Sequence, residues 1–193
     1  MIKNMITKKQ KICFNKLIFF KLFIFILFFI KSSYAHELRP AIANLNIYEK
    51  DNIINASLSI QLNLEAIIAG IETKHFNTEE SEKSEKYQNL REMSPLILLR
   101  EFNSKIKNFD NKINLTSNNS SLNLTLISVV IPEVGNIDII RDTIVTFNIQ
   151  NVKEERLKFF WNKNLGSIIL RINSIDNKPL YTELIENGKK SKW

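Results

Sequence analysis

Ala41, Ala43, Leu45 and Ile47 alternate with Ile42, Asn44 and Asn46, a period of two that predicts a half-buried β-strand. Polar Glu49-Lys-Asp-Asn52 reads as a turn. The alternation then resumes, with Ile54, Ala56, Leu58, Ile60 and Leu62 on one face and Asn55, Ser57, Ser59, Gln61 and Asn63 on the other. One apolar face and one small, polar face predict an antiparallel hairpin with one side in water.

The pattern breaks at Leu64. Leu64-Glu-Ala-Ile-Ile-Ala-Gly-Ile71 lacks alternation and reads as a short helix ended by Gly70. Residues 78–93 are dense in Glu, Lys, Ser and Gln, a solvated helix or excursion. Ser94-Pro95 is a helix start, an N-cap followed by a proline whose missing N–H costs nothing in the first turn. Leu96, Leu98, Leu99, Phe102, Ile106 and Phe109 follow at helical spacing. Residues 64–110 therefore read as a helical insertion, after which strands are predicted at 112–117, 121–131, 143–150, 155–161, 166–173 and 179–186. Asn118-Asn-Ser-Ser121, Pro132-Glu-Val-Gly135 and Asp176-Asn-Lys-Pro179 supply turns between them. The expected fold is mainly β, an antiparallel β-sandwich of six to eight strands spanning 36–186, with a polar tail at 187–193.

The first 35 residues follow different rules. Six lysines, Lys3 to Lys21, precede the apolar run Leu22–Ile30, and no acid occurs before Glu37. At about 1.5 Å per residue that run covers roughly 14 Å, half of a hydrocarbon core and suited to a signal peptide. Ser33 and Ala35 place small residues at the −3 and −1 subsites of a signal peptidase. The expectation is an exported, periplasmic protein beginning at His36, or a membrane-anchored one where the leader is retained.

Removing the leader changes the charge. The chain has 27 basic and 20 acidic residues, and seven of the basic ones lie before His36, so the rest is neutral. A neutral domain has no electrostatic footprint for nucleic acid. Cys13, the sole cysteine, goes with the leader, which excludes disulfides and thiolate metal sites. With two histidines, four glycines and no nucleophile elbow or phosphate loop, the sequence reads as non-enzymatic.

Candidate chemistry is sparse. An N-terminal His36 would offer its α-amine and a ring nitrogen as a chelate for nickel or copper; Glu37 could add an oxygen, and His75 is the second imidazole. Glu133, Asp138 and Asp142 surround a Pro/Gly turn and form a candidate carboxylate loop for a hard ion, although Arg141 more simply pairs with one of these acids. Phe159-Phe-Trp161 must put a ring on each face of its strand, with Trp161 the candidate for a partner-facing ring.

The ordered set His36-Glu-Leu-Arg-Pro-Ala41, Leu62-Asn-Leu-Glu-Ala-Ile-Ile-Ala-Gly70, Ile131-Pro-Glu-Val-Gly135 with Arg141-Asp142, and Trp161 followed by Gly166–Arg171 resembles the extracytoplasmic N-terminal region of HupE/UreJ-like membrane proteins. The resemblance implies a role in nickel or cobalt uptake, or in hydrogenase and urease metallocentre maturation, beside a membrane permease partner. The polytopic domain expected to move the metal is not in this sequence, which fits either the front part of a split gene or a free-standing version of the domain. Two other readings stand beside it: a periplasmic metal chaperone using His36, and an adhesin-like binding module without metal.

Overall fold

The computed structural model describes residues 39–71, 83–137, 139–152, 157–186 and 188–193. All of them belong to the second of the two units into which the chain divides, Ala35–Trp193.

Strands β1 (Ala41–Lys50) and β2 (Ile53–Asn63) form the expected hairpin. Its two turn residues, Asp51 and Asn52, have φ of 55° and 58°, the left-handed pair that a two-residue turn demands and that Asp and Asn tolerate. Ala43, Leu45, Leu58 and Ile60 are fully buried, as their alternation requires.

Asn63 then switches the chain from strand to helix. Its side chain accepts the Ala66 N–H at 3.0 Å and caps α1 (Leu64–Ala69). Gly70, at φ 77°, closes that helix in the left-handed conformation that favours glycine. Lys83 and Lys86 donate to the carbonyls of Gly70 and Ile68, placing cations at the negative end of α1. Two longer helices follow, α2 (Ser84–Glu92) and α3 (Pro95–Asp110), the second starting at the predicted Ser94-Pro95. The described part of the insertion is therefore helical, and residues 72–82 lie outside the described residues.

Seven strands complete the fold: β3 (Ile113–Ser117), β4 (Ser120–Ser121), β5 (Thr125–Val130), β6 (Asp142–Ile149), β7 (Leu157–Trp161), β8 (Ile168–Asn173) and β9 (Pro179–Ile185). They build a six-stranded sheet, ordered β5-β6-β2-β1-β8-β9, and a three-stranded sheet, ordered β4-β3-β7. Both sheets and all three helices contribute to one hydrophobic core. Among the described residues no helix is long and apolar enough to cross a membrane.

Two expectations need correction. The described residues hold nine strands rather than six to eight, because the run 121–131 is divided: Ser120–Ser121 pairs with β3, and Thr125–Val130 pairs with β6 in the other sheet. The sheet is also mixed, since β1 and β8 run parallel. Parallel neighbours need a long crossover, and everything from β2 to β7 lies between these two. No local alternation encodes that choice.

Candidate recognition cleft

The end of the six-stranded sheet where β1, β6 and β8 begin and β2 finishes holds a cleft of about 290 Å³. Its apolar lining includes Leu62, Ile67, Ile71, Ile140 and Leu165. Arg39, Gln61, Asn63, Asp142, Asn164 and Ser167 supply polar groups. Gly166 also lines it, at φ 96°, and its N–H closes a short 3-10 turn onto Lys163 O. A side chain at that φ would strain the entry to β8.

A buried ion pair braces two walls of this cleft. Glu65 on α1 is 1% exposed and Arg141 is 7% exposed, with Arg141 Nε donating to Glu65 Oε1 at 2.6 Å. Ala66, beside Glu65, lines the cleft from one side; Asp142, beside Arg141, lines it from another. The same guanidinium donates to Met93 O at 3.0 Å and Leu90 O at 3.3 Å, so it also fixes the α2–α3 junction. Bonds to several acceptors are what a buried guanidinium needs to offset its lost hydration.

A second buried arginine lies alongside. Arg91 donates to Ile139 O at 2.8 Å and sits over the Tyr87 ring, 5.5 Å from its centroid. The Tyr87 hydroxyl accepts from Asn63 Nδ2 at 2.9 Å. Burial pushes the Tyr87 phenol above the usual tyrosine range, with the Asn63 hydrogen bond opposing the shift. Glu65 Oε2 has no hydrogen-bond partner among the described residues, and Glu65, Arg91, Gly135 and Arg141 are among the residues lining a hollow of about 20 Å³.

Asn63 thus serves two elements, capping α1 and holding Tyr87 of α2. Asn63→Ala is expected to cost about 1–2 kcal/mol. Asn63→Asp, which keeps the cap acceptor but loses the amide donor to Tyr87, should fall between the two. Urea denaturation of the three proteins checks the order.

The structure sorts the residues singled out by sequence. His36, Glu37, His75 and Asp138 lie outside the described residues. Glu133 and Asp142 are exposed, and among the described residues no group of three or more His, Cys, Asp or Glu is placed to hold a metal. Arg141 turns to Glu65, 76 residues away, and among the described residues it pairs with no acid of its own loop. Trp161 is not a partner-facing ring: it is fully buried, stacked on Phe159 at 6.3 Å and edge-on to Phe109 at 6.5 Å. The ring on the other strand face is Phe160, which is half-buried.

Sequence reasoning gave no role to Glu65, Arg91 or Arg39. The available signal was Glu65 itself, the single charge in the apolar run Leu64–Ile71. Compared with known proteins, the chain matches no protein-family model and no curated protein.

Proposed function

We propose that this chain is an exported, non-enzymatic recognition domain of the HupE/UreJ type that assists nickel or cobalt uptake beside a membrane partner. The observation that carries the reading is convergence. The stretches behind the resemblance are dispersed from His36 to Arg171, yet Arg39, Pro40, Leu62, Asn63, Asp142 and Gly166 all line one cleft. Glu65 and Arg141, from two of the same stretches, form the ion pair that braces it. Packing alone requires apolar residues spread through a core, whereas polar and turn-forming residues gathered at one sheet end are the arrangement of a binding site.

The groups in the cleft suit holding a ligand: a guanidinium, a carboxylate, amides and a hydroxyl around an apolar floor. The reading assigns no bond-breaking step to them. Export rests on the lysine-rich start, the apolar run Leu22–Ile30 and the small residues Ser33 and Ala35.

The test is metal accumulation in the native cell. Deleting the gene is expected to lower cell-associated nickel or cobalt several-fold at limiting external metal, measured by mass spectrometry, with recovery when the chain is restored. Unchanged accumulation of both metals would overturn the reading.

A further inference from the structure

We infer that the cleft binds a free α-amino acid with an aliphatic side chain, its carboxylate held by Arg39 and its ammonium by Asp142. The inference rests on the reading of the cleft as a recognition site and adds the chemical class of its ligand.

Charge placement carries the argument. Arg39 and Asp142 both line the cleft and both are exposed. Among the described residues neither enters an ion pair. Their backbones belong to neighbouring parts of one sheet end. Asp142 is opposite Asn63 on β2, and β2 pairs with β1, which Arg39 precedes. Two inter-strand spacings separate them, roughly 10 Å. A span of that size between the two residues leaves room for a small ligand carrying both signs.

Other ligand classes fit less well. A simple anion would satisfy Arg39 and bring its charge against Asp142. A simple cation would do the reverse. A purely apolar ligand would strip water from both charges and return nothing to either. A zwitterion satisfies both at once. The guanidinium fork matches a carboxylate through two parallel hydrogen bonds, and an ammonium on a carboxylate is likewise charge-assisted.

Size and floor narrow the class. A volume of about 290 Å³ lies at the lower edge of the roughly 300–1,000 Å³ typical of small-molecule sites, which favours a single amino acid over a longer chain. Ile67, Ile71, Ile140 and Leu165 offer an aliphatic surface to its side chain. Gln61, Asn164 and Ser167 add neutral hydrogen-bonding groups. The Glu65–Arg141 pair fixes the walls beforehand, so less ordering remains to oppose binding.

The test is calorimetric titration of the full chain in mild detergent with leucine, N-acetylleucine, leucinamide and leucyl-leucine. Leucine is expected to bind saturably. N-acetylleucine, which lacks the ammonium, and leucinamide, which lacks the carboxylate, should each bind about tenfold more weakly or worse. Arg39→Gln should weaken leucine and leave leucinamide unchanged; Asp142→Asn should weaken leucine and leave N-acetylleucine unchanged. Both residues are exposed, and thermal melts matching the parent chain would show that the variants fold.

No saturable leucine binding at millimolar concentration, or equal affinity for leucine and its two blocked forms, would overturn the inference. Tighter binding of leucyl-leucine would overturn the assignment to a free amino acid. Metal accumulation that depends on the chain, together with absent leucine binding, would sink this inference and leave the proposed uptake role standing.

Discussion

Arg141→Met is expected to destabilise the domain by about 3–5 kcal/mol, the cost of leaving one buried charge of an ion pair without its partner. Glu65 is 1% exposed, and its Oε1 would lose a hydrogen bond of 2.6 Å; Oε2 already has no partner among the described residues. The carbonyls of Leu90 and Met93 would lose the same donor, so the loss extends to the α2–α3 junction. Glu65→Leu alone should be similarly costly, since it abandons the guanidinium. The double variant Glu65→Leu/Arg141→Met removes both charges and should regain most of the loss, because burying paired charges offers little net stability over apolar groups of similar volume. Urea denaturation with a double-mutant cycle measures the coupling. Single-variant losses below about 1 kcal/mol would place the pair among solvent-screened bridges and remove the brace from the cleft.

The ion pair also marks the limit of what the sequence reveals. Arg141 has an acid on its immediate C-terminal side, which invites a local pairing. In extended chain, however, adjacent side chains point to opposite faces. Asp142 is accordingly exposed while Arg141 turns inward to Glu65. Nothing local connects residue 141 to residue 65. By contrast, most of β1 and β2 was legible, because a sheet with one wet face writes its register into every second residue; Glu49 and Lys50, read as turn, extend β1, and Asn55, read on the wet face, is buried. The helical insertion was legible for a related reason: Gly70 and Ser94-Pro95 mark helix ends by backbone chemistry that needs no tertiary partner.

Legibility fails where the chain changes partners without changing pattern. The strand-like run 121–131 passes from a partner in β3 to one in β6. β8 reads as a strand, but its parallel neighbour β1 lies more than a hundred residues earlier. The cleft combines both difficulties. It is made of strand ends and their flanking residues, whose side chains follow no period and whose proximity depends on sheet order. Only topology brings these segments to one place.

Trp161→Ala is expected to cost about 3–5 kcal/mol, for a reason that the partner-facing reading of this residue would have reversed. An exposed ring can be truncated at little cost, whereas this one is fully buried and joins separate parts of the fold. It stacks on Phe159 of its own strand and meets Phe109 of α3 edge-on, while Phe109 meets Phe102 at 5.5 Å. Loss of the indole would leave a cavity between the three-stranded sheet and the longest helix of the insertion. Trp161→Phe should cost less, about 2 kcal/mol, because it keeps a ring and removes only part of the buried volume. The indole Nε1 has no hydrogen-bond partner among the described residues, so no bond of that kind is lost with it. Fluorescence offers an independent check, since the chain has two tryptophans and the other, Trp193, is only half-buried beside Tyr181. Trp161→Phe should remove the emission that iodide fails to quench and leave a redder, more quenchable remainder. An equal Stern–Volmer slope before and after the substitution would mean that Trp161 is solvent-facing after all, and the aromatic link from β7 to α3 would then have to be abandoned.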